Sequence, residues 1–117
     1  MNMEELISRQ RAFCKTGRTL RYDFRMRMLD RLERAVRLHE ESIREALKRD
    51  LAKSSFESYM TEIGMVYSEL AYVKKHLKAW MKPQAHLTPA SQFPARSFSV
   101  REPYGVVLVM APWNYPF

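Results

Sequence analysis

From residue 56 to 80, the apolar residues Phe56, Tyr59, Met60, Ile63, Val66, Tyr67, Leu70, Val73, Leu77 and Trp80 recur every three or four positions and stay on one face. Only an α-helix keeps such a stripe aligned for about seven turns, and at about 1.5 Å per residue that helix is roughly 40 Å long. A stripe this long has to be covered, and the preceding sequence supplies matching faces. Met28, Leu29, Leu32, Ala35 and Val36 form one. Ile43, Ala46, Leu47 and Leu51 form a second, slightly out of phase with the first, which predicts a break near residues 39–41. At the N-terminus Asn2 and Glu5 have the spacing of a capping box. Met3, Leu6, Ile7, Phe13 and Cys14 then share a face until Gly17 stops the run. Residues 1–82 therefore read as a helical region of amphipathic helices. Gly64, inside the long helix, is unfavourable there by about 1 kcal/mol relative to Ala, so it signals close approach of another backbone, such as that of a further domain.

Pro83 ends the helical zone, and Pro89 and Pro94, with Ser and Thr between them, are loop chemistry. Phe98 and Val100 alternate with Ser97, Ser99 and Arg101, the pattern of a short half-buried strand, and Pro103, Tyr104 and Gly105 then provide a turn. Residues 83–105 are thus a proline-rich loop with a hairpin strand. Val106, Val107, Leu108, Val109 and Met110 are apolar without alternation, as expected of a strand covered on both faces in a parallel sheet flanked by helices. The class expected is an α/β fragment, with N-terminal amphipathic helices, then a hairpin strand, then a first buried strand. Without neighbours that strand is an uncovered, aggregation-prone edge.

Composition closes several other routes. The longest apolar run, residues 106–113, is far shorter than the roughly 18 to 20 residues of a membrane span, so no membrane partner is expected. Glu4 and Glu5 stand where a secretory signal would carry basic residues, which points to the cytoplasm. One cysteine, Cys14, makes neither a disulfide nor a zinc cluster, and His39, His76 and His86 have no partner at ligand spacing, so no metal is expected. Lys and Arg exceed Asp and Glu by 20 to 13, and seven arginines fall between residues 18 and 37. That density raises a basic helical interaction or nucleic-acid-binding module as an alternative. Against it, Asp30/Arg34, Glu33/Arg37, Glu40/Arg44 and Glu45/Arg49 place an acid four residues before a base, the pattern of a solvated face laced with weak ion pairs. No nucleic-acid partner is therefore expected.

Ala111, Pro112, Trp113, Asn114, Tyr115, Pro116 and Phe117 follow the apolar run. In open α/β sheets ligands bind outside the carboxyl ends of strands, which puts this cluster where a site would lie. Asn114 carries its one amide side chain, whose NH2 is the kind of donor that stabilises an oxyanion on a carbonyl carbon under attack. The plainer alternative is that Asn114 is a turn residue satisfying local backbone groups.

The run from Glu102 to Phe117, with its Pro-Trp-Asn-Tyr-Pro-Phe ending, resembles the strand-to-site segment of the NAD(P)-dependent aldehyde dehydrogenase superfamily. Gly17, Arg18, Thr19, Phe24, Arg25, the step Asp50-Leu51-Ala52-Lys53 and the helix from Glu62 to Tyr72 are similar to the N-terminal helices of its class 3 members. The resemblance implies that Asn114 is the oxyanion-hole asparagine. It further implies that Met110, Ala111, Pro112 and Trp113 line the nicotinamide-ribose side of bound NAD or NADP, and that Tyr115 borders the substrate pocket. Residues 106–117 would begin a Rossmann-like cofactor domain, and the hairpin around residues 98–101 would belong to a bridging region that helps a homodimer form. The activity implied is oxidation of a small-molecule aldehyde to a carboxylic acid. The nucleophilic cysteine, glutamate base and glycine-rich phosphate loop of that superfamily lie far downstream of such a segment. Cys14 and glycines 17, 64 and 105 do not replace them. The expectation is an N-terminal fragment that is inactive alone and binds dinucleotide weakly or not at all.

Overall fold

A computed structural model describes residues 2–117. Helix α1 spans Met3–Lys15, and its first turn is capped as the sequence predicts, with the Asn2 side chain accepting from the Glu5 N–H at 2.8 Å. Gly17 follows with φ 71°, a left-handed turn that a β-carbon would strain. A single 3₁₀ turn, Arg18–Leu20, leads into α2, Tyr22–Leu38. The Arg18 guanidinium lies over both Phe13 and Phe24, 5.5 and 5.8 Å from the ring centres, and ties α1 to α2. Helix α3, Glu40–Leu51, starts after a break at His39, inside the interval that the phase shift predicts.

The long stripe folds as α4 (Ser55–Ser58), a π-helical turn (Tyr59–Ile63) and α5 (Gly64–Trp80) in direct succession. The Ser54 hydroxyl caps the start by accepting from the Glu57 N–H at 3.1 Å. Val36, Leu47, Ile63, Leu70 and Leu77 are the buried apolar residues, so the core lies where α2 and α3 meet this composite helix.

The π turn bears on the close approach expected at Gly64. Among the described residues, the backbone close to Gly64 is that of its own helix. A β-carbon built at Gly64 would stand 2.8 Å from the Tyr59 carbonyl oxygen, the acceptor that the wider turn brings alongside it. Gly64→Ala is therefore expected to destabilise the helical layer by about 1–2 kcal/mol despite alanine's better helix propensity, because a backbone oxygen has to move. A lowered denaturant midpoint by circular dichroism is the check, and a raised midpoint would show that the π turn relaxes freely.

The ion pairs also differ from the expected lace. Arg37 pairs with Glu33 and Arg44 with Glu40, as the spacing predicts. Asp30, however, binds Lys74 of α5 at 2.7 Å rather than Arg34, and Lys74 also reaches Glu33 at 2.5 Å. The Tyr67 hydroxyl donates to Glu40 at 2.7 Å, and Arg37 lies 4.5 Å from the centre of the Tyr67 ring. Part of the charged face thus joins α2 and α3 to α5 instead of facing only water.

These contacts set a pH profile. The Lys74 and Arg37 hydrogen bonds hold the Glu33 carboxyl below its ordinary range, and Tyr67 and Arg44 do the same for Glu40. Arg21 and Arg27 bring Asp23 down to about 2. Because the folded state binds these protons less readily than the unfolded chain, stability is full above their ordinary values near 4 and is lost as pH falls toward 2. Burial, then the bond to Glu40, pushes Tyr67 up to about 12, and Asp30 and Glu33 raise Lys74. There the folded state holds protons more tightly, so stability is lost as pH rises from about 10 toward 12. Denaturant midpoints taken across pH should form a plateau with these two shoulders, and Glu33→Gln should soften the acid one.

Beyond Trp80 the chain forms β1 (Gln84–His86), paired antiparallel with β2 (Ser97–Ser99) so that Ala85 opposes Phe98. Thr88 accepts from the Ser97 N–H at 2.9 Å, and His86 contacts the Ser99 hydroxyl at 2.8 Å, closing the hairpin. Strand β1 lies in what reads as loop sequence. β2 is where alternation predicts a strand, but Phe98 and Val100 are exposed rather than half-buried.

The largest correction concerns residues 106–110. They form no strand, and Val107, Leu108, Val109 and Met110 are 63, 81, 84 and 82% exposed. A parallel strand needs hydrogen-bonding neighbours on its edges and helices on its faces, and the described residues provide neither. The α/β class is thus present only as a helical layer with a two-stranded antiparallel ribbon. The radius of gyration, 19.7 Å against about 13 Å for a closed domain of this length, reflects the same lack of cover.

Candidate functional site

Residues 112–115 make a tight turn in which the Tyr115 N–H donates to the Pro112 carbonyl at 3.2 Å. Asn114 is the third residue of that turn. The turn reading of Asn114 is thus correct as far as backbone goes, yet among the described residues its carboxamide makes no hydrogen bond and the residue is exposed. Met110, Ala111, Pro112 and Trp113 precede it as one exposed stretch, Trp113 at 88%. The six residues singled out by sequence therefore lie on one continuous segment, and only its final part touches the helical layer.

That contact is made by two residues that sequence reading leaves unassigned as site residues. Lys53 is 7% exposed and Glu62 3% exposed, and they pair at 2.5 Å. The Lys53 ammonium also donates to the Asn114 carbonyl oxygen at 2.9 Å and lies 4.0 Å from the centre of the Tyr115 ring. Glu62 uses its second oxygen to accept from the Phe117 N–H at 2.8 Å. A buried ion pair is tolerable only when its remaining hydrogen-bonding capacity is filled, and here the segment 114–117 fills it. Ser58, one turn before Glu62, has a buried hydroxyl without a protein partner.

Local structure aims both charged groups. Helix α3 ends at Ala52, which has φ 55° and donates its N–H to Lys48 O at 2.9 Å. A left-handed alanine costs about 1–2 kcal/mol, and the abrupt turn it makes separates the helix axis from Lys53. Glu62 lies in the π turn. One signal was available in the sequence: residue 62 is three after Tyr59 and four before Val66, so a carboxylate stands on the apolar stripe itself.

The described residues contain no group of three or more His, Cys, Asp or Glu placed to hold a metal ion, and Cys14 is on α1. No described helix is long and apolar enough to cross a membrane. What this segment offers is an unpaired neutral N–H donor on a turn whose backbone is held by a buried charge pair. Such a donor suits stabilisation of a developing negative oxygen.

Residues 2–117 match the family model described as the aldehyde dehydrogenase family. The chain is 40% identical over 115 residues to the 4,4'-diaponeurosporen-aldehyde dehydrogenase of Staphylococcus aureus, a match covering 98% of this chain and 25% of that protein. It is 38% identical over 112 residues to the chloroplastic aldehyde dehydrogenase family 3 member I1 of Arabidopsis thaliana, covering 96% of this chain and 20% of the relative. Among solved structures, the substrate-bound state of Staphylococcus aureus AldH superimposes with a TM-score of 0.93 at 41% identity, covering 100% of this chain and 26% of that one. The chain belongs to the aldehyde dehydrogenase family. It spans about a quarter of the length of these relatives.

Proposed function

We propose that this chain is the N-terminal part of an enzyme that oxidises an aldehyde to a carboxylic acid with NAD(P)+, and that Asn114 is its oxyanion donor. The observation that carries the reading is the Asn114 carboxamide, unpartnered on a turn whose own carbonyl is bound by Lys53. A thiolate contributed by the rest of such an enzyme attacks the aldehyde carbon, and the carbonyl oxygen gains charge as it becomes tetrahedral. A neutral amide N–H aimed at that oxygen strengthens its bond as the charge grows, which favours the transition state over the bound aldehyde. Collapse of the intermediate transfers a hydride, for which NAD(P)+ would supply the acceptor when bound, and leaves a thioester that water hydrolyses to the carboxylic acid, freeing the thiolate.

The residues present fit one wall of a cofactor site. Met110, Ala111 and Trp113 make no backbone hydrogen bond among the described residues, so their peptide groups and apolar side chains are available to a nicotinamide ribose. Tyr115 has one face occupied by Lys53 and is 49% exposed, leaving surface to border a substrate pocket. Residues 106–110 would become the first strand of a Rossmann-like cofactor domain once partner strands cover them. In this reading the complete enzyme works in the cytoplasm as a homodimer, and the exposed Phe98 of the hairpin supports a bridging role there.

The test is aldehyde-dependent formation of reduced nicotinamide, measured on the full-length protein carrying this segment and on the 117-residue chain. Turnover by the former and none by the latter is expected. A full-length protein with no turnover on any aliphatic or aromatic aldehyde would overturn the reading, and so would turnover by the isolated chain.

A further inference from the structure

We infer that the buried Lys53–Glu62 ion pair is a positioning clamp for the oxyanion donor, fixing the backbone of residues 114–117 on the helical layer and so aiming the Asn114 side chain. The inference rests on the reading of Asn114 given above. Three contacts converge on four consecutive residues: the Lys53 ammonium on the Asn114 carbonyl and on the Tyr115 ring, and the Glu62 carboxylate on the Phe117 N–H. Lys53 lies 61 residues before Asn114 in the chain, so these contacts are tertiary, not part of the local turn.

The chemistry of the pair suits positioning better than it suits stability. Apolar residues of similar volume generally stabilise a buried site as well as an ion pair does, or better. Directed hydrogen bonds to a particular carbonyl and a particular amide are what apolar packing does not supply. A preorganised donor has to be held near its working geometry, and a displacement of about 1 Å costs on the order of a hundredfold in rate. The exposed Asn114 has no side-chain contact of its own to set its direction, so its backbone has to do so. Lys53 and Glu62 are positioning residues in this scheme, acting through Asn114.

The experiment compares the full-length protein with its Lys53→Met/Glu62→Leu and Asn114→Ala variants, using steady-state kinetics and amide hydrogen exchange. The paired apolar replacement avoids leaving a lone buried charge, and its folding is read independently from exchange across α5. The clamp predicts faster exchange confined to residues 113–117 and a kcat about ten- to a hundredfold lower, with KM for NAD(P)+ within about threefold. Unchanged exchange at residues 113–117 overturns the clamp directly. Faster exchange with kcat intact, while Asn114→Ala abolishes turnover, also overturns it but leaves the Asn114 reading standing. An Asn114→Ala enzyme with normal kcat overturns the reading itself and the aiming role with it. If the double variant unfolds throughout, the pair is a structural necessity and a role confined to positioning is wrong.

Discussion

In the full-length protein Asn114→Ala is expected to lower kcat by about two to three decades, equivalent to roughly 2.7–4 kcal/mol of lost transition-state stabilisation. The effect falls on kcat because the interaction is weak while the aldehyde oxygen is neutral and strengthens only as charge develops on it. Stability should hardly change, since the carboxamide is exposed and makes no hydrogen bond among the described residues that alanine would remove. Asn114→Asp sharpens the test. It keeps the size and the turn, but replaces a donor with an anion that repels the developing charge, so its kcat should be at least as low as that of the alanine variant. Kinetics at saturating aldehyde and cofactor, paired with thermal denaturation, separate the two effects. A variant that folds normally and turns over normally would mean that the carboxamide takes no part in the chemistry.

The separation between what periodicity reveals and what it hides runs through particular residues. The helices of residues 3–51 and 55–80 are legible because their apolar residues recur at helical spacing, and the change of phase around His39 marks the break between α2 and α3. Asn2 is legible as a cap because its chemistry is local. The π turn is not, because inserting one residue into a helix changes the phase of the stripe too little to detect against Gly64 and Met60. Strand β1 is hidden because Gln84, Ala85 and His86 have no strand pattern and owe their conformation to pairing with β2. The run at residues 106–110 shows the opposite failure. Its composition calls for a buried strand, but burial belongs to the surroundings as much as to the residues, and neither edge nor face is covered here.

The candidate site divides in the same way. Asn114 stands out because one amide among aromatics and prolines is conspicuous, and the segment carrying it resembles that of a known family, to which the chain does belong. Lys53 and Glu62 stay hidden because their roles arise from contact across more than fifty residues of chain. In a basic sequence one more lysine carries little information. The carboxylate on the apolar stripe is the informative half of the pair, since a charge in that place needs a partner.

That need makes Lys53→Met the most destabilising single substitution expected in the chain, with a loss of about 3–5 kcal/mol. Removing the ammonium leaves the Glu62 carboxyl at 3% exposure without its counter-charge and with only the Phe117 N–H as donor, and also strips the Asn114 carbonyl of its partner. The penalty comes mostly from the stranded carboxylate rather than from the value of the pair, and a double-mutant cycle distinguishes these contributions. If the carboxylate is the source, Lys53→Met/Glu62→Leu should recover most of the loss and approach the stability of the parent, although each single change is costly. Denaturant midpoints of the four proteins measure the coupling. A double variant as unstable as the sum of the singles would show that Lys53 and Glu62 stabilise the fold through separate partners. The recovered stability of the double variant, set beside its slower turnover, is the combination that separates a device for aiming Asn114 from one for holding the helices together.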